Sequence, residues 1–220
     1  PLVGALVGLA AGGVFFAAHD VGLPPAFNAV LAVAALILVG GHLDEGETRA
    51  PAPFLIATLL KIATLYVIGD PATSGGGPAM AVLALVAAGA VSHAAAILFE
   101  PAPDPDAVDP DTDDPDTDDP KIVILPPDGT AIPADDSEPE GNGHEMGPAA
   151  TAIGLALLIA AIALGLMGGL VAAGGAALGA FLAPRILRRE IEADTLPVPL
   201  ALQQSAEVWA LMALAVSLSL

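Results

Sequence analysis

His42, Asp44, Glu45, Glu47 and Arg49 follow directly on an uninterrupted apolar run that ends in Gly40-Gly41. Charged groups are costly inside a bilayer and tolerated just outside it, so a dense polar cluster at a helix exit is a natural reaction or ion site. A plain hydrated loop accounts for the same residues, because membrane loops are polar for solubility. A second set lies within the apolar runs themselves. Lys61 sits near the middle of one, where an unpaired charge costs roughly 2.5–3.5 kcal/mol on insertion scales, which calls for a partner. At about 1.5 Å of rise per residue, Lys61 lies about 12 Å from its helix end, and His93 and Glu207 about 9 Å from theirs. These three can share one polar pocket. Equally, Lys61 can snorkel, His93 can be a packing histidine and Glu207 can lie near the interface.

The elements that must position these groups are helical spans. The 220 residues are 55% hydrophobic but only 4% aromatic, with 24 Gly, and mean hydropathy is +0.74. Those values fit an all-α, polytopic transmembrane bundle better than a soluble domain. Acids outnumber bases 25 to 6, a balance that repels nucleic acid and anionic lipid and keeps a surface hydrated in concentrated salt, as in a halophile. Cysteine is absent, which excludes disulfides, Cys metal sites and Cys nucleophiles. The chain opens at Pro1 without a signal-peptide signature, and its short first run reads as a span whose beginning is missing.

About seven spans are expected. Residues 2–18 form the first, with Gly4 and Gly8 as a small-xxx-small face. Pro24 and Pro25 turn the chain into the second, 26–41. The third runs from Pro51 to Gly69 and the fourth covers 78–99, with a turn at 70–77 between them. Residues 148–184 give two more, broken near Met167-Gly168-Gly169, with close-contact faces at Gly165/Gly169 and Gly175/Gly179. The last covers 201–220. The domain reading is therefore 1–99, a linker at 100–147, and 148–220.

The linker is a different material. It holds 16 acids, many prolines and a repeated Asp-Pro-Asp-Thr-Asp, and it cannot bury enough apolar surface to offset its ordering entropy, so it is expected to be disordered. Lys121–Leu125 and Thr130–Ile132 flank Pro126-Pro127-Asp128-Gly129, the pattern of a small hairpin. The Asp repeat lacks the sixth-position Gly of a calcium loop, which argues against that site. Lys and Arg favour cytoplasmic loops, so Arg49 and the Arg185, Arg188, Arg189 group belong on the inner side, with the amino end and the linker. His42, Asp44, Glu47 and Asp194 can then converge on one face of the cell membrane.

Taken in order, Pro1-Leu2-Val3-Gly4, Gly40-Gly41-His42-Leu43-Asp44, Leu59-Leu60-Lys61, Val91-Ser92, Asp194-Thr195-Leu196 and Glu207 resemble the adenosylcobinamide-GDP ribazoletransferases, or cobalamin synthases. The resemblance implies a polytopic membrane enzyme that joins α-ribazole, or its phosphate, to a cobinamide nucleotide, adenosylcobinamide-GDP, and releases GMP with the help of Mg²⁺. It implies Asp44, Glu47 and Asp194 as metal ligands, and His42, Asp44 and Asp194 as the catalytic set. Residue type alone suggests Arg49 as a phosphate contact. Glu45-Gly46-Glu47 replaces the family's Gly-Leu-Ala-Asp, its following Asp/Arg/Gly-rich segment is missing before Pro51, and Gly-Asp-Thr-Leu-Gly-Ala is reduced to Ala193-Asp194-Thr195-Leu196-Pro197. These departures imply weakened or lost activity. Two other classes fit the sequence: a non-catalytic membrane protein with an acidic cytoplasmic arm, and a small transporter with a Lys61, His93, Glu207 relay.

Overall fold

The computed structural model describes residues 1–40, 51–74, 76–99, 146–188, 191 and 198–220. His42, Asp44, Glu47, Arg49 and Asp194 lie outside the described residues, as does the acidic segment up to Glu145 with its expected hairpin.

Every described element is helical: α1 (Leu2–Asp20), α2 (Pro25–Val39), α3 (Pro51–Gly69), the single turn α4 (Pro71–Ser74), α5 (Pro78–Phe99), α6 (Met146–Ile186) and α7 (Val198–Leu218). Proline stands in the first turn of α2, α3, α4, α5 and α7, where its missing N–H removes no helical bond. Asp70 caps α4, its Oδ1 accepting from the Ala72 N–H at 3.0 Å. α6 begins at Met146, inside the segment expected to be linker.

Four helices, α1, α3, α5 and α6, are long and apolar enough to cross a membrane, and α2 is a shorter apolar helix. They point to a multi-pass membrane protein. In α5, 61% of the apolar window is buried, against 22–33% in the other three, so α5 lies at the centre. It packs against α1, α3, α6 and α7. α7 also lies inside, with Leu202, Ala206, Ala210 and Leu211 at 0–1% exposure. On it Gln204 and Glu207 are buried and Gln203 is half-buried.

The break in α6 falls at Gly165, not at Met167-Gly168-Gly169. Gly165 has φ 74° and ψ 169°, a region only glycine enters without strain. The chain doubles back there: a Cβ on Gly169 would lie 2.9 Å from the Ala161 nitrogen and 3.1 Å from the Ala160 carbonyl carbon. In one continuous helix those residues would be about 12 Å apart. α6 is thus a hairpin of two arms, 146–164 and 166–186. Gly165 makes the turn, while Gly175 and Gly179 seat the second arm against α7 at Trp209 and Ser205.

Contacts fix the directions. Gly4, Gly8 and Gly12 of α1 meet Gly89, Leu85 and Val82 of α5, an antiparallel pair. The four-residue link 21–24 reverses the chain between α1 and α2, and the link 70–77, closed by Gly77 N–H to the Ile68 carbonyl at 3.1 Å, reverses it between α3 and α5. Pro53 and Ile186 line one groove with Leu200. The starts of α3 and α7 and the ends of α2 and α6 therefore gather at one end of the bundle, called here the near end.

Candidate functional site

The interior polar site is built on two inward stripes. On α3 the buried positions are Lys61, Thr64, Leu65 and Ile68, spaced i, i+3, i+4, i+7 as one helix face requires. Leu55, Ile56, Leu59 and Leu60 take the outward positions. On α7 the inward run includes Gln204, Glu207, Leu211 and Leu214. Lys61 is 3% exposed, so its ammonium does not reach the bundle surface.

Lys61 Nζ donates to Glu207 Oε2 and to Gln204 Oε1, both at 2.7 Å. The acceptors are one helical turn apart, so a single ammonium grips two successive turns of α7. Counted from the helix starts, Lys61 lies about 15 Å along α3 and Glu207 about 14 Å along α7. That match in level is possible because the two helices run parallel. Thr64, one turn beyond Lys61, returns its hydroxyl to the Leu60 carbonyl at 2.7 Å. Glu207 Oε1 is buried with no partner among the described residues.

His93 meets α7 one residue earlier. Its Nδ1 is 3.0 Å from the Gly89 carbonyl, a contact in which Nδ1 carries the proton, and Gln203 Nε2 is 3.5 Å from its Nε2. The imidazole fills space left open by Gly4, where a Cβ would strike it. Counted from Phe99, it lies only about 9 Å into α5. Of the three charged or titratable groups expected within the spans, Lys61 and Glu207 are joined directly, while His93 is set beside Gln203. Val91 and Ser92 are buried on the same helix, and the Ser92 hydroxyl donates to the Gly89 carbonyl at 3.1 Å.

Three polar residues were not singled out from sequence. Gln203 and Gln204 are adjacent amides in an apolar run, with Gln204 three residues before Glu207; that spacing was the available signal. Asn28 is the polar residue within the second apolar run, and it is fully buried, with both amide atoms unpaired among the described residues. Among the described residues no group of three or more His, Asp or Glu side chains can hold a metal ion; the expected ligands Asp44, Glu47 and Asp194 lie outside them.

The arrangement can hold one buried positive charge against one negative charge and fix the register of two helices. Comparison with known protein families, with curated proteins and with solved structures finds no match for this chain.

Proposed function

We propose that the chain crosses the membrane seven times, through α1, α2, α3, α5, the two arms of α6, and α7, with the near end on the cytoplasmic side. Arg185, in the last turn of α6, and Arg188, two residues past its end, support that side, since Lys and Arg favour cytoplasmic loops. On this frame the protein is a divergent membrane transferase similar to cobalamin synthase, joining α-ribazole or its phosphate to adenosylcobinamide-GDP with release of GMP, at a rate weakened by the departures at Glu45-Gly46-Glu47 and Ala193-Asp194-Thr195-Leu196-Pro197.

The observation that carries the reading is the parallel, ion-paired contact of α3 with α7. It holds together the helix starts at Pro51 and Val198, which immediately follow segments 41–50 and 189–197. Those segments carry His42, Asp44, Glu47, Arg49 and Asp194. In the reaction a hydroxyl of α-ribazole attacks the phosphorus nearer cobinamide, and the bond to GMP breaks as the hydroxyl loses its proton. His42 takes that proton and Arg49 holds phosphate oxygens. Asp44, Glu47 and Asp194 are a carboxylate set of the kind Mg²⁺ prefers, and the ion would neutralise charge on the leaving phosphate.

The test is Mg²⁺-dependent GMP release by purified, folded protein, set against Asp44→Asn. Turnover lowered about 10–100-fold or more by the substitution supports the reading, since even outer-shell partners of a metal are worth that much. Absence of turnover assigns the chain instead to non-catalytic membrane proteins.

A further inference from the structure

A groove of about 490 Å³ lies between α3 and the end of α6, with α7 as its floor. Its rim residues Ile56, Leu60 and Ile186 are exposed and apolar. Among the described residues no charged side chain lines it, so neither an anion nor a cation finds a counter-charge there.

Two N–H donors interrupt the apolar lining. Gln204 is only 9% exposed and lines the floor. The Lys61 ammonium can only donate, so the amide atom facing it at 2.7 Å is the carbonyl oxygen, and that bond fixes the carboxamide. The amide nitrogen has no partner among the described residues, and unlike Glu207 Oε1 it is not sealed off by protein. Trp209 lines the same floor, and its indole N–H is likewise unsealed and without a partner among the described residues. The two residues flank the floor: Gln204 is tied to α3 through Lys61, and the Trp209 Cβ packs beside Gly179 of α6. Along α7 they stand about 7.5 Å apart. The Ser205 hydroxyl between them is already committed to the Gly179 carbonyl at 2.8 Å. The groove therefore offers two donors and asks for two acceptors.

Depth narrows what can supply them. The 21 residues of α7 rise about 31 Å, the thickness of a hydrocarbon core. With α7 as a span, Gln204 lies about 9 Å and Trp209 about 16 Å from its near-end start. Water does not satisfy N–H groups at that depth, and the ester carbonyls of glycerolipids stay at the core boundary. The acceptors must belong to an uncharged molecule that dissolves in the hydrocarbon itself. We propose that the groove binds a membrane quinone, an uncharged ring with carbonyl oxygens on two opposite edges and an isoprenoid tail. One carbonyl accepts from Gln204 Nε2 and the other from Trp209 Nε1, while the tail leaves over Ile56 and Leu60. The assignment rests on α7 crossing the membrane and not on the transferase reaction, so failure of GMP release leaves it untouched.

Trp209 is the only tryptophan in the chain, so its fluorescence reports groove occupancy. The full-length protein in phosphatidylcholine vesicles is titrated with a prenylated naphthoquinone, which should quench Trp209 saturably. The same prenylated ring without carbonyls should fail to displace it. Gln204→Met should weaken binding about five- to tenfold, the worth of one hydrogen bond. Ala57→Phe fills the groove from the α3 wall and leaves the Lys61 bond to Gln204 in place; it should abolish saturation, which keeps the test independent of how Gln204→Met folds. Quenching that rises linearly without saturating overturns the proposal, as does saturable binding that both variants leave unchanged. Displacement of the quinone by added diacylglycerol also overturns it and gives the groove to a glycerolipid. Lipids brominated at different depths check the frame separately: quenching strongest near the headgroup would make Trp209 shallow, and would overturn the crossing of α7 and the quinone assignment with it.

Discussion

Two seams of the same bundle are closed by opposite means. Between α1 and α5 the closest approaches are to backbone: Gly4 lies against the Gly89 backbone and Gly8 against that of Leu85. Between α3 and α7 the seam turns on one of the longest side chains available, with Lys61 bonded to Glu207 and Gln204 at 2.7 Å. Helices in lipid gain little from hydrophobic burial against one another, which leaves close packing and polar bonds as the adhesives. The glycine seam fixes how near two helices come. The polar seam fixes which helix is the partner, in which direction, and at which level.

The largest expected effect comes from breaking the polar seam on one side only. Glu207→Gln leaves a buried ammonium without its counter-charge, and Lys61→Met leaves a buried carboxylate; each should cost about 3–5 kcal/mol. The double variant removes both charges and should be markedly more stable than the sum of the singles predicts. Unfolding of all four proteins in bicelles by increasing detergent measures the coupling directly. Simple additivity would mean that the 2.7 Å contact contributes nothing as a pair, and the two seams would no longer differ in kind.

The two seams were also unequally legible in the sequence. The spacing of Gly4 and Gly8, and of Gly175 and Gly179, marks close-contact faces, but nothing in it says that α5 receives the first and α7 the second. Lys61 and Glu207 stand out because charge inside an apolar run is costly, and that cost is a property of each residue alone. Gln204 escaped because a neutral amide near the start of a run reads as an interface residue; only the parallel direction of α3 and α7 makes it a second acceptor. The chain reverses two to four residues before Met167-Gly168-Gly169, where the sequence pattern puts the break. Gly165, Gly168 and Gly169 are equivalent as letters, and what separates them is the positive φ at Gly165, a backbone fact. The site residues at 42–49 and at 194 follow from residue type, order along the chain and the family resemblance, and they lie outside the described residues.

The glycine seam should respond less strongly than the ion pair, and only where backbone meets backbone. Gly89→Ala would push its methyl into the Gly4 carbonyl. A carbonyl cannot rotate away as a flexible side chain can, so α1 and α5 must separate, at about 1–3 kcal/mol. Gly12→Ala should cost less, because the Val82 Cγ1 at 2.9 Å and the Val82 Cα at 3.0 Å stand farther from an added Cβ than the Gly4 carbonyl does at Gly89, so a smaller separation relieves them. The same unfolding measurement ranks the two. A reversed order would place the seam's closest approach elsewhere along α1.

The smallest effect should come from Gly13→Ala, and its sign matters more than its size. Gly13 is adjacent in sequence to Gly12 yet has nothing within 4 Å of an added Cβ, because it points away from α5. Alanine there meets no neighbour and improves helix propensity, by up to about 1 kcal/mol in water. Unfolding of this variant should shift slightly toward greater stability or not at all. If it lost as much as Gly89→Ala, the cost of replacing glycine in these helices would be general, and the distinction between a seam held by backbone contact and one held by charge would have to be drawn from the Lys61 variants alone.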